Sequence, residues 1–145
     1  MMFLFLLVLA GVAAVDRWLK LLALHGQTHD LGFASFILVK NDALVFSWPA
    51  PNSVAIGLMC VAILLVAIFA WRTMQSHRTM SMIGCLLILL GALSNLFDRI
   101  AYGFVIDWAY LGHWWPVFNI ADMMITVGVV VVAIKMKKTT NKIDK

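Results

Sequence analysis

Residues 80–99 read MSMIGCLLILLGALSNLFDR: eighteen residues without a formal charge, then Asp98 and Arg99 side by side. A helix crossing a bilayer needs about 20 mostly apolar residues, with a range of roughly 17–25. At ~1.5 Å rise per residue, an eighteen-residue run covers about 27 Å, enough for a thin bilayer. The stretch therefore reads as a membrane span with an acid and a base at its end.

Working outward, three more segments have this character. Residues 2–24 are apolar apart from Asp16, Arg17 and Lys20; residues 54–71 carry no charge; residues 117–134 contain one acid, Asp122. The first segment has small residues at Gly11, Ala13 and Ala14 but no basic n-region, and its apolar character resumes through Leu24. It reads as a span rather than a cleaved signal peptide. The chain of 145 residues is 63% hydrophobic and 12% charged, against roughly 25% charged in soluble domains. So small a soluble domain has no interior large enough for that much apolar surface. The expected architecture is an all-α integral membrane domain over 1–145, a four-transmembrane-helix bundle.

Basic residues set the expected orientation. Arg72 and Arg78 lie between the second and third spans, and Lys135, Lys137, Lys138, Lys142 and Lys145 lie in the tail 135–145. Two spans separate these regions, so they share a side, and they hold seven of the eleven Lys and Arg residues. That side is expected to be the cytoplasm, with both termini inside and outer loops at 25–53 and 98–116. The net charge of +4 is concentrated in the tail, without a basic stripe interleaved with aromatics, which suits anionic lipid rather than nucleic acid. Cys60 and Cys85 sit inside apolar runs and read as small buried hydrophobes. His25, His29 and His113 have no ligand spacing, so no metal is expected.

In the first outer loop, residues 36–39 and 43–47 are β-prone runs around Lys40-Asn41-Asp42, the pattern of a hairpin. Trp48-Pro49-Ala50-Pro51-Asn52 then breaks regular structure. The second outer loop carries Trp108, Tyr110, Trp114 and Trp115, a density that marks a membrane–water interface.

Ionisable residues in or beside spans are functional candidates by default. Asp16 and Lys20 are spaced i,i+4 and can pair on one helix face, a structural ion pair stapling the first span to the bundle. Asn95 and Asp98 end the third span; Asn119 and Asp122 begin the fourth. The third span emerges where the fourth re-enters, so Asp98 and Asp122 lie at similar depth, each with an amide three residues before it. Two close carboxylates share a proton, leaving one as general base and the other as acid. Spacing alone leaves open a catalytic pair, a structural network, and an ion or proton site.

The same residues resemble a known family. Gly91–Arg99, ending in Asn-x-x-Asp-Arg, is similar to a block of lipoprotein signal peptidase (signal peptidase II, aspartyl peptidase family A8). Gly103-Phe104-Val105-Ile106-Asp107-Trp108 looks like its Gly-x-Val-x-Asp-Phe segment, Phe118-Asn119-Ile120-Ala121-Asp122 like its Phe-Asn-x-Ala-Asp block, and Asp16 to Lys20 like its first-helix Asp-x-x-x-Lys. In the first outer loop Lys40, Asn41 and Phe46 fit the family pattern. Asp42, Ala43, Leu44 and Val45 depart from it, and Ser94 replaces a common Gly.

The resemblance implies a protease of the bacterial inner membrane, its site facing outward, that cleaves prolipoproteins before a diacylglyceryl-modified cysteine. It implies Asp98 and Asp122 as the catalytic pair. Asn41, Asn95, Arg99, Asp107 and Asn119 are then the substrate-binding or supporting residues, and the first outer loop a small β-structured cradle. No cofactor is implied. Signal peptides and lipids are the expected partners, and a monomer completes the site. The rival readings are a divergent homologue that binds membrane peptides without cleaving them, and a small proton- or ion-conducting protein.

Overall fold

The computed structural model describes residues 2–43, 51–76, 79–112 and 115–143. Four long helices alternate with three short strands: α1 (Met2–Leu24), β1 (His29–Asp30), β2 (Ser35–Asn41), α2 (Asn52–Gln75), α3 (Thr79–Tyr102), β3 (Val105–Tyr110) and α4 (Ile120–Ile143). By length and composition α2 and α3 each suffice to cross a membrane. The burial pattern explains what lipid must do. Among the described residues, nine polar or charged side chains are buried, as many as the buried hydrophobic ones, while leucines and valines crowd the outside. So extensive an exposed apolar surface needs a cover other than water, which lipid supplies.

The helices do not form a closed four-cornered bundle. Contact is greatest between α3 and α4; among the described residues α2 packs against α3 alone, while α1 lies on α3, α4 and the sheet. Glycines set the α3–α4 distance. A methyl at Gly84 would meet Gly128 O at 2.9 Å and Val132 Cγ2 at 2.8 Å, and one at Gly91 would collide with Ala121 O. Small residues let backbones approach where lipid offers no hydrophobic drive to pack.

The third helix runs past the expected end at residue 97, so Asp98 and Arg99 lie within α3 rather than beyond it. It stops at Gly103, whose φ of +86° and N–H to Arg99 O at 3.1 Å form a left-handed cap. The chain then turns directly into β3.

The sheet differs from expectation. Phe36 to Val39 are in a strand, but Lys40 and Asn41 continue it instead of turning. Ala43 is in no strand, and Leu44 to Ser47 lie outside the described residues. The order is β1-β2-β3, all antiparallel. The partner that β2 lacks locally is supplied by Val105–Tyr110, a stretch expected to be loop. Register runs Phe36↔Ala109, then Val39↔Asp107 and Asn41↔Val105, with one extra β2 residue between Phe36 and Val39. That bulge resets the alternation of faces. Val39 opposes Asp107, and Asn41, two residues on, falls on the same face.

Candidate active site

Four aspartates gather at the sheet end of α3 and α4, in two different surroundings. The first belongs to Asp98, which is fully buried. Its Oδ1 meets Arg17 Nη2 at 2.6 Å and its Oδ2 meets Lys20 Nζ at 2.8 Å. Oδ2 also accepts the Ile106 backbone N–H at 3.3 Å. Asp16, fully buried too, faces Lys20 Nζ at 3.1 Å and accepts the Ala121 N–H at 3.1 Å. The expected Asp16–Lys20 pair is thus present, but Lys20 does more than staple a helix. Its ammonium also donates to Asn95 Oδ1 at 2.9 Å and to Ser94 Oγ at 3.2 Å.

Each buried acid of this cluster therefore grips a backbone amide one residue ahead of another aspartate: Asp98 before Asp107, and Asp16 before Asp122. Every carboxylate oxygen of this cluster is thus committed to an ion pair or a hydrogen bond. Arg17 is part of this cluster although the sequence did not single it out. Its guanidinium also lies over the Phe97 ring, 4.8 Å from the centroid.

The second surrounding holds Asp107 and Asp122 among amides. Asp107, 1% exposed, accepts Asn41 Nδ2 at 2.8 Å on one oxygen and Asn119 Nδ2 at 2.7 Å on the other. Asp122 accepts Asn95 Nδ2 at 2.8 Å and the Asn119 backbone N–H at 3.2 Å, while Asn119 Oδ1 accepts the Asp122 N–H at 2.9 Å. Because α4 starts at Ile120, Asn119 is its N-cap, and the reciprocal bonds with Asp122 are a capping box. The sequence showed two polar residues on one helix face. The structure shows a cap that fixes Asp122 while its free amide hydrogens reach Asp107.

Electrostatics separate the two surroundings further. Burial pushes the Asp107 carboxyl up to about 7, the Asp122 charge adding to the rise. Hydrogen bonds from Asn41 and Asn119 and the charge of Lys20 oppose that shift. Asp122 is half-buried, open enough to meet a water. The pair whose carboxylates one residue, Asn119, bonds together is Asp107, through its side chain, and Asp122, through its backbone N–H. Between Asp98 and Asp122 stand Lys20 and Asn95. The expectation of Asp98 as half of a pair thus meets a carboxylate already committed to two cations.

Arg99 was expected around the pair. Its charge faces Asp107, and its guanidinium donates to Ala43 O at 2.5 Å and lies 3.4 Å from both Asp42 O and Asn52 Oδ1, while Asn52 Nδ2 returns a bond to Arg99 O at 3.1 Å. It ties both flanks of residues 44–51 to α3. Among the described residues no group of three or more His, Cys, Asp or Glu is arranged to hold a metal. An open apolar pocket of about 310 Å³, lined by Leu31, Phe36, Trp108 and their neighbours, includes none of these carboxylates.

Fold and site together define a class: a small helical membrane protein carrying two amide-held carboxylates at one end, beneath a three-stranded sheet. The family model described as signal peptidase (SPase) II matches residues 8–138, and the chain belongs to that family of proteases. It is 31% identical over 141 residues to the lipoprotein signal peptidase of Bartonella henselae, covering 90% of this chain and 86% of that one. The lipoprotein signal peptidase of Rhodopseudomonas palustris is 36% identical, over 84% and 85% of the two chains. A solved bacterial membrane enzyme, determined by the in meso method, has the same fold, with a TM-score of 0.78 at 20% identity over 95% of this chain and 90% of that one.

Proposed function

We propose that the chain is an aspartic endopeptidase of the inner membrane that removes signal peptides from prolipoproteins by cutting before the diacylglyceryl-modified cysteine. The proposed pair is Asp107 and Asp122. The observation that carries this is Asn119, whose side chain bonds Asp107 while its backbone N–H bonds Asp122. Family membership supports the substrate, and the amide surroundings support the chemistry.

Asp122, with water access, takes a proton from a water as its oxygen attacks the scissile carbonyl carbon. Asp107 donates its proton to the carbonyl oxygen as the gem-diol forms, and takes it back as the C–N bond breaks. Asp122 passes the proton it gained to the leaving nitrogen. Asn41, Asn95 and Asn119 hold the two carboxyls in register, and Arg99 anchors the segment that follows Asn41. Four spans, cytoplasmic termini and an outward-facing site agree with the basic residues at 72, 78 and 135–145. The substrate's apolar helix then stays in lipid while water reaches the pair. One chain supplies every residue of the site, which suits a monomer.

The test is cleavage of a lipid-modified prolipoprotein by the purified chain in detergent, beside its Asp107→Asn, Asp122→Asn and Asp98→Asn variants. Loss of roughly 10³-fold or more in kcat is expected for the first two, with substrate still bound. If Asp107→Asn cleaved at the parental rate while a folded Asp98→Asn did not, the pair would revert to Asp98 and Asp122.

A further inference from the structure

We propose that Ser94 is a positioning residue for this reaction, its hydroxyl apportioning the Lys20 ammonium between Asp16 and the amide that holds Asp122. The inference rests on the reading of Asp107 and Asp122 as the pair. Ser94 Oγ donates to Asp16 Oδ2 at 2.6 Å. It also accepts from Lys20 Nζ at 3.2 Å and from Arg17 Nη2 at 3.3 Å. One hydroxyl thus touches all three charged side chains that α1 sends into the site.

Lys20 offers three N–H donors to four oxygens: Asp16 Oδ2, Ser94 Oγ, Asn95 Oδ1 and Asp98 Oδ2. The contact to Asn95 matters for catalysis, because the same amide donates to Asp122 Oδ1 at 2.8 Å. Asp16 Oδ2 has two donors, the Ser94 hydroxyl and Lys20. Without the hydroxyl, that oxygen keeps only Lys20 and draws the ammonium toward itself, away from Asn95. Two effects follow. Asn95 Oδ1 loses the shorter of its two donors and keeps only Asn119 Nδ2 at 3.2 Å, which loosens its hold on Asp122, and a positive charge retreats from Asp107. The other charges facing Asp107 are Asp122 on α4 and Arg99 on α3, and neither touches Ser94. Lys20 is therefore the charge through which Ser94 acts.

The experiment compares the full chain with Ser94→Ala, Ser94→Gly and Ser94→Thr in detergent. Two quantities are read: cleavage rate against pH, and the titration of the Asp107 carboxyl carbon in ¹³C-aspartate-labelled protein. Ala and Gly should lower kcat about three- to tenfold with KM unchanged. They should also move the Asp107 titration and the alkaline limb upward by roughly half a pH unit. Thr, which keeps the hydroxyl on a half-buried position, should restore both. An Ala variant whose Asp107 titration matches the parent overturns the proposal, whatever its thermal stability. That titration decides the point without turnover, so a parent chain that cleaves no lipoprotein would refute the proposed function separately.

Discussion

Asp98 and Asp107 lie nine residues apart and are equally sealed from solvent, at 0% and 1% exposure, yet they are opposites. Asp98 sits between Arg17 and Lys20; Asp107 sits between the amides of Asn41 and Asn119. A buried acid next to cations is neutralised by them and becomes part of the frame. A buried acid held by neutral donors keeps its proton within reach of neutral pH. Burial alone does not make a carboxylate reactive; the charge of its neighbours decides what burial does to it.

Removing the two carboxyls separately is the strongest way to break this contrast. Asp107→Asn should abolish turnover, by roughly 10³-fold or more, in a protein that still folds. Asp98→Asn should instead destabilise the fold by roughly 3–5 kcal/mol, because it removes the carboxylate partner of Arg17 and one of the two carboxylates that hold Lys20. Thermal unfolding in detergent beside single-turnover cleavage separates the two losses.

A smaller effect sharpens the contrast through pH. With the Asp107 carboxyl near 7 and the form with Asp107 protonated and Asp122 ionised active, kcat/KM should peak below about pH 7 and fall again in acid, where Asp122 is protonated. Above about pH 7 the rate should fall about tenfold per pH unit. The same shift acts on stability. The folded pKa is raised above the unfolded 3.8, so the proton binds more tightly in the fold. That contribution is complete below about 3.8 and lost as the pH climbs through about 7. Asp107→Asn should flatten this slope.

The smallest expected effect lies away from both acids. Gly91→Ala places a methyl against Ala121 O and 2.9 Å from Ile125 Cγ1, forcing α3 and α4 apart at a cost of about 1–3 kcal/mol. Asn95 and Asp122 sit on those two helices, so kcat should fall with stability. A variant that loses stability but not kcat would show that the Asn95–Asp122 bond follows the backbone shift.

Much of the helical frame was legible because uncharged eighteen-residue runs have few other solutions. The sheet was only half legible. Phe36 to Val39 announce a strand, but the partner of Asn41 is Val105, and long-range pairing leaves no local signature. The site was legible as a list of residues but not as roles. The repeated Asn-x-x-Asp spacing drew Asp98 and Asp122 together, since it is visible along the chain. What sets Asp98 apart is Arg17 and Lys20, residues some 80 positions earlier that meet it only when α1 packs on α3. The capping box was hidden for a simpler reason. Placing the fourth helix at 117 rather than Ile120 turned an N-cap into an interior residue.

The open arrangement of the helices has a kinetic consequence. Among the described residues α2 contacts α3 and no other helix, so in the proposed setting the flank between α1 and α2 would face lipid. A substrate that is itself a membrane helix needs no door to open; it arrives by sliding sideways. Its search is two-dimensional, and the concentration that governs the rate is the number of substrates per area of membrane. Diluting the sample in buffer changes nothing the enzyme senses, whereas diluting it with lipid slows every encounter.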